Sequence, residues 1–294
     1  MTSASDLKGR IDGIADIEKL TKAMYLIAST KVTRARAERD RTQPFFDAIE
    51  KEIKRAFERL EDLDSPYYLS PDSQDQRSGP SAIFVISSDR GLAGAYNHNI
   101  MKKVQTLLGQ VGESRLFILG TYGQRYGRRH RLPLEEDFNY RAQEPSLDLA
   151  RDLASGFLEK YQAGQIKDIW IVYTDFQNQL SREVKLVRAL PFSSGLFKDP
   201  LDSQEDFVFL GSPEKVVSQV IGSYLTGFIY GALVDSFCSE QSARMDAMST
   251  AQQNAQAMLE DLTLAYNQLR QETITQEITE ITAGAKAQKK KRRR

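Results

Sequence analysis

After Pro213 the chain contains no further proline, and from Ala232 to Ala283 it contains no glycine. With no proline after Pro213 and over fifty residues also free of glycine, a start near Glu214 lets one continuous helix run to Thr282, on the order of 100 Å at about 1.5 Å per residue. A helix of that length cannot lie inside one compact domain, so it must be covered by a partner.

Its sequence describes the partner it needs. Phe237, Met245, Met248, Ala251, Ala255, Met258, Leu262, Ala265 and Leu269 recur at helical spacing, frequent in alanine and sparse in leucine. A seam this lean suits one close helical neighbour. Gly222, Gly227 and Gly231 each cost roughly 1 kcal/mol against alanine in a helix. Their clustering predicts close packing against a central α/β domain.

The comparable stripe lies at the other end of the chain. Asp6 to Leu63 reads as helix, with Leu7, Ile11, Ile14, Ile17, Leu20, Met24 and Ile27 every three or four positions. Pro44 predicts a break or kink there, followed by a second helical run carrying Ile49, Ile53, Phe57 and Leu60. Lys31, Arg34, Arg36, Arg39 and Arg41 face only Glu38 and Asp40, whereas Ala232 to Ala283 carries eight acids against Arg244 and Arg270. Opposite charges beside an apolar seam favour pairing. The terminal helices are therefore expected to form a long antiparallel coiled coil, with the distal part of the last helix unpaired and enclosed by another protein.

Between them the period changes. Ser65 to Pro80 reads as a polar connector. Ala82 to Ile86, Arg115 to Leu119 and Ile169 to Tyr173 are short apolar runs of strand length, and Tyr96 to Leu108 and Leu147 to Tyr161 read as helices. Arg182 to Leu190 alternates charged and apolar residues, as a half-exposed edge strand does. The fold class is thus a Rossmann-like α/β central domain with a mainly parallel sheet, plus the coiled coil. The expected divisions are 1–64 for the first helix, 80–210 for the α/β domain, 211–284 for the last helix and 285–294 for a basic, disordered tail.

Composition removes several functions. A single cysteine, Cys238, excludes an internal disulfide framework, and with only His98 and His130 a metal site is not expected. No cofactor is expected either. The net charge of zero conceals seven positives, Lys286, Lys289, Lys290, Lys291, Arg292, Arg293 and Arg294, against a body about seven negative. No run reaches the roughly 18 apolar residues of a membrane span, so membrane association is expected to be peripheral. The turn from Gly91 to Gly94 follows a strand and opens a helix, but lacks the Gly-Lys-Ser/Thr ending of a phosphate loop. It reads as a structural turn.

Three separated motifs resemble one family. Leu20 to Val32, LTKAMYLIASTKV, is similar to the early helix of F-type ATP synthase γ subunits. Asp89 to Asn97, DRGLAGAYN, resembles their turn after the first central strand. Leu259 to Ile281, LEDLTLAYNQLRQETITQEITEI, is similar to their C-terminal signature. The resemblance implies a non-catalytic rotor shaft. With one cysteine, too few for a chloroplast-type thiol switch, and no obvious transit peptide, its expected place is the cytoplasmic face of a bacterial cell membrane. Its coiled coil would sit in a ring of α and β subunits, one shaft per three of each. Its central domain would face the ε subunit and the c-ring, with no nucleic acid and no direct membrane insertion.

The same resemblance implies site residues. Lys22, Met24, Lys31, Arg34 and Arg36 on the first helix, and Arg270, Gln271 and Thr275 on the last, would contact β. Asp89, Arg90 and Gly91 would lie on the ε and c-ring side. Read as residues alone, the first group is equally a stripe with solvated flanks and the second a polar helix surface. The rival readings are a coiled-coil scaffold without a motor role and a nucleotide-dependent enzyme built on the central domain.

Overall fold

The computed structural model of the chain describes residues 3–58, 66–69, 77–142, 144–177, 181–193 and 213–292. The connector expected between Ser65 and Pro80 falls largely outside them. So does Leu60, and so do the side chains of Ile53, Phe57 and the basic run from Lys286. The elements in chain order are α1 (Ala4–Glu58), β1 (Tyr68–Leu69), β2 (Ser81–Ile86), α2 (Tyr96–Leu108), β3 (Ser114–Leu119), α3 (Thr121–Arg129), α4 (Leu147–Gln162), β4 (Asp168–Phe176), β5 (Arg182–Leu190), β6 (Phe192–Ser193) and α5 (Pro213–Arg292).

The chain divides into two compact units, Ala28–Arg244 and the combination of Met1–Ile27 with Met245–Arg294. In the first, four strands form a sheet in the order β3-β2-β4-β5. β2 runs parallel to both β3 and β4, while β5 is antiparallel to β4 and forms the half-buried edge that its alternation predicts. Strand residues are sorted by parity. Ala82, Phe84 and Ile86 face a layer built from Leu153 and Phe157 of α4 and Leu225 and Ile229 of α5. Ile83 and Val85 face Ile100, Met101 and Val104 of α2. The domain is therefore a three-layer α/β/α arrangement with an apolar core on each face of the sheet. β1 and β6 form a separate two-residue parallel pair.

The middle of α5 is buried on nearly every side, and the sheet explains how polar residues can be there. β4 continues past Val172, where its pairing with β2 ends. The main chain of Thr174 is left open on that side, and α5 satisfies it: Thr174 N–H donates to Ser236 Oγ at 3.2 Å, and Ser239 Oγ donates to the Thr174 carbonyl at 3.3 Å. On its other side this stretch meets α1. Phe46 packs on Tyr230 at a ring separation of 5.8 Å, Arg39 pairs with Asp235 at 2.8 Å, and Lys31 lies over Phe237. Residue numbers rise on one helix as they fall on the other, so within this unit the two run antiparallel.

Several expectations are corrected. α1 passes through Pro44 without interruption. Pro44 is exposed, so the Asp40 carbonyl that loses its helical donor can turn to water, and Phe46 anchors the following turn on α5. Of the three glycines, Gly227 is the one packed too closely for a side chain, and its neighbour is α1 rather than the head: a Cβ would meet Phe46 at 2.2 Å. Gly222 has its nearest neighbour at 3.8 Å in Leu158, and Gly231 has open space. α5 also stays helical to Arg292, beyond the expected end at Thr282 and into the stretch read as disordered. Alanine, glutamine, lysine and arginine after Gly284 are good helix formers, and cations suit a helix C-terminus. Finally, α5 does contain an 18-residue window of mean hydropathy 1.3, high enough for a membrane span, but 61% of it is buried in the protein. That is the profile of a core helix.

In the second unit, α1 opens with a reciprocal cap. Ser3 N–H donates to the Asp6 carboxylate and Asp6 N–H donates to Ser3 Oγ, both at 3.1 Å. These bonds hold the Asp6 carboxyl below its usual range. Leu7 and Thr21 are buried on the N-terminal piece, and Met245, Met248 and Ala255 on the C-terminal piece. Of the buried positions along α1, Leu7, Thr21, Ala28 and Ala35 fall seven or fourteen residues apart, and Val32 lies four after Ala28, the alternate seam position of the same heptad. This heptad frame turns Ile17, Leu20 and Ile27 outward, although helical spacing alone puts them in the stripe.

Candidate functional site

The turn after β2 is held by its own side chains. Ser88 N–H donates to Asn97 Oδ1 at 3.1 Å, Asn97 Nδ2 returns a bond to Ser88 Oγ at 2.7 Å, and Ser88 Oγ donates to the Arg90 carbonyl. Asp89 Oδ1 accepts from Thr121 N–H at 2.9 Å and from Ala142 N–H at 3.1 Å, so its carboxylate supports the start of α3. The Gly91 carbonyl accepts from Arg244 on α5 at 3.3 Å. Asp89 and Gly91 are thus committed to the fold, while Arg90 is exposed and Leu92, at φ 63°, is 64% exposed.

Arg244 is the centre of this attachment. It pairs with Glu240 at 2.6 Å, and both are nearly buried. Burial raises the Glu240 carboxyl despite the arginine beside it, with Asp89 adding to the rise and Lys31 opposing it. Asp235 is pushed up to about 7 by burial, with Asp175 adding to it, against Arg39 and Lys185. Burial also pushes the Cys238 thiol up to about 11, which suits packing and not nucleophilic chemistry.

The basic face of α1 is only partly free. Lys31 and Arg34 both approach Glu144, at 3.5 and 3.6 Å, and Arg36 lies 4.5 Å over the Phe176 ring. Arg34 remains 81% exposed at its side chain. Lys22 is exposed and Met24 half-buried, and Leu20, Leu26 and Ile27 near them are each more than half exposed.

The distal part of α5 differs from both. From Gln271 to Ala285 every residue is exposed. Ile274, Ile278 and Ile281 are 43%, 57% and 71% exposed, four and three residues apart, so they share a face. Arg270 is also exposed, and Thr275 Oγ1 donates back to the Gln271 carbonyl at 2.8 Å. The three isoleucines form a short apolar row on a solvent-exposed helix face. The structure therefore places Arg270, Gln271 and Thr275 on one exposed helix segment, and Lys22 and Met24 on α1. Sequence reasoning missed the anchoring residues Ser236, Ser239, Glu240, Arg244 and Glu144. The spacing of Glu240 and Arg244 at i and i+4 was the one available signal.

Comparison with known proteins decides the family. The sequence profile described as ATP synthase matches residues 3–288. The ATP synthase gamma chain of Caldanaerobacter subterraneus subsp. tengcongensis is 35% identical over 95% of this chain and 98% of its own length. The chain belongs to the ATP synthase gamma chain family. Another member, from Caldicellulosiruptor saccharolyticus, is 36% identical over 96% of this chain and 98% of its own length. The fold is shared with a chain in the Euglena gracilis mitochondrial ATP synthase, OSCP/F1/c-ring, in rotational state 3. That match has a TM-score of 0.66 at 16% identity, covering 97% of this chain and 94% of the other. Gamma-chain membership removes the support for the scaffold reading, since the three motifs that suggested the family lie in the matched span.

Proposed function

We propose that the chain is the central rotor shaft of an F-type ATP synthase, coupling ion flow through a c-ring to ATP synthesis or hydrolysis at β subunits. The observation that carries this reading is the distal part of α5, exposed on all sides yet bearing Ile274, Ile278 and Ile281. A helix of this kind needs an enclosing partner, and a ring of three α and three β subunits provides one.

On this reading the chain is a non-catalytic subunit, bound peripherally on the cytoplasmic face of a bacterial membrane. Lys22, Met24, Arg270, Gln271 and Thr275 contact β directly. Lys31, Arg34 and Arg36 do so while exchanging partners with Glu144 and Phe176, and exposed pairs of about 1 kcal/mol or less suit contacts that must be remade at every step. Toward ε and the c-ring, Arg90 is the residue among Asp89, Arg90 and Gly91 that offers a free side chain.

The test is the composition of a purified complex. Tagged chain expressed with its native partners should recover α, β, ε and c subunits, with one copy per three β. Recovery of the chain alone, or in equal ratio to β, rejects the rotor assignment.

A further inference from the structure

The head carries a cavity lined by none of the residues assigned above to partner contacts. It has a volume of about 520 Å³ and opens beside the outer edge of β3, with Ile118, Leu132, Leu134 and Phe138 on its apolar side and Arg128 and Arg131 on its exposed side. Small-molecule sites commonly measure roughly 300–1,000 Å³ and combine an apolar body with a few convergent polar groups.

The backbone supplies one polar group. Leu116 N–H donates to the Pro133 carbonyl and the Leu116 carbonyl accepts from Glu135 N–H, so even-numbered residues of β3 turn away from β2. Ile118 is the next such residue. Its carbonyl is taken by Gln124 Nε2 at 3.0 Å, and its N–H points to the same open side of the strand.

Arg131 is in an unusual conformation for an arginine. Leu132 N–H donates to the Gly127 carbonyl and Arg131 N–H to the Arg128 carbonyl, the two bonds of a Schellman turn that ends α3. Arg131 occupies its left-handed position at φ 52°, where glycine is usual and a side chain costs about 1–2 kcal/mol. A glycine would close this turn with less strain. A strained residue at the edge of a cavity points to a use for its side chain.

Charge gives the ligand class. α3 ends in Arg125, Arg128, Arg129, His130 and Arg131, all exposed. Complementing the dipole of a nine-residue helix requires only one or two cations, each worth about 0.3–1 kcal/mol. Glu135 also lines the cavity, but its carboxylate is engaged by Arg115 and Lys160, each at 3.5 Å. The opening is therefore set by two guanidiniums against Glu136.

We propose that this cavity binds a phosphate-bearing ligand with an apolar body. Arg128 and Arg131 take the phosphate oxygens, an arrangement for which planar guanidiniums are suited. Ile118 N–H donates to a further acceptor, and Phe138 with the two leucines receives the apolar part. A free organophosphate and a phospholipid headgroup share this chemistry.

The experiment uses the purified full-length chain in two arms. Calorimetric titration with phenyl phosphate, with inorganic phosphate and phenol for comparison, reads the soluble source. Co-sedimentation with phosphatidylglycerol vesicles, against phosphatidylcholine, reads the headgroup source. Arg131→Gly is the decisive variant, because it removes the guanidinium while easing the turn and so keeps or raises the Tm. Arg129→Gln removes a neighbouring charge that does not line the cavity.

Expected is binding in one arm that Arg131→Gly and Arg128→Gln each weaken about tenfold or more, the scale of one lost charge-assisted contact. Arg129→Gln should change it by no more than about twofold, as screened surface charges do. Binding of phenyl phosphate identifies a soluble ligand, and binding of phosphatidylglycerol alone identifies a headgroup. The proposal is overturned if neither probe binds. It is equally overturned if binding survives Arg131→Gly, as vesicle binding by the basic run from Lys286 would.

Discussion

Two stretches of α5 use the same secondary structure in opposite ways. Between Ala232 and Met245 the helix is buried almost all round and carries Asp235, Ser236, Ser239, Glu240, Gln241, Ser242 and Arg244 inside. Between Gln271 and Ala285 it is fully exposed and carries Ile274, Ile278 and Ile281 outside. The usual rule of apolar inside and polar outside is inverted in both. In the first stretch the polar groups are spent on one docking geometry: two serines on the open main chain of Thr174, and an arginine on Gly91. In the second, the apolar groups have no use within the described chain, which is the physical content of calling it a partner surface.

The sharpest way to break this contrast is to remove Arg244. Arg244→Ala leaves Glu240 buried without its cation and frees the Gly91 carbonyl, and losing one member of a buried pair costs about 3–5 kcal/mol. Denaturant unfolding of the full chain should show that loss, and the double variant Glu240→Gln with Arg244→Met should recover much of it. A loss under about 1 kcal/mol would mean that the pair is solvated and does not anchor α5.

Ser236→Ala should cost less, about 1–3 kcal/mol, because it strands the buried N–H of Thr174 while leaving the Ser239 contact in place. Hydrogen exchange at Thr174 gives a more local reading, and should accelerate in this variant. Unchanged protection there would show that the serine only fills space.

Asp235 contributes through pH. Its folded pKa, about 7, lies above the ordinary value of 3.8, so the folded state holds this proton more tightly than the unfolded chain. Its contribution to stability is therefore full below pH 3.8 and is lost as pH rises toward 7. Arg39, Asp175 and Lys185 face the group and set how steep the loss is. Asp235→Asn should flatten the stability profile across that window. A profile identical to that of the parent would assign the slope to other carboxylates.

Most of the architecture was legible because it follows from periodicity. The runs at Ala82, Arg115 and Ile169 are strands, the alternation from Arg182 marks an edge, and the proline-free stretch after Pro213 is one helix. What was not legible depends on partners distant in sequence. α3 carries two glycines, Gly123 and Gly127, and no strong apolar stripe. It forms because Asp89 supports its first turn and because Ser87 and Leu134 crowd those glycines, where a Cβ would approach within 2.5 and 2.7 Å. Ile17, Leu20 and Ile27 fit a period of 3.6, but pairing of long helices selects a period of 3.5 and turns them outward. Lys31, Arg34 and Arg36 read as a free basic face until Glu144 and Phe176 are placed beside them.

The smallest effect on the chain itself is expected from Arg270→Glu, and that smallness is what makes it informative. Arg270 is exposed and directly precedes the stretch from Gln271 to Ala285 that is exposed throughout, so reversal should alter unfolding free energy by no more than about 0.5 kcal/mol. If α5 ends in a partner surface, the same substitution should impair assembly with α and β subunits, or uncouple turnover from ion pumping in the reconstituted complex. Stability and assembly would then respond oppositely in the two stretches, with Arg244→Ala lowering the first and Arg270→Glu only the second. Normal assembly, hydrolysis and pumping with Arg270→Glu would show that the distal helix tolerates charge inversion at this position. The contact surface would then have to be sought on the face that carries Ile274, Ile278 and Ile281.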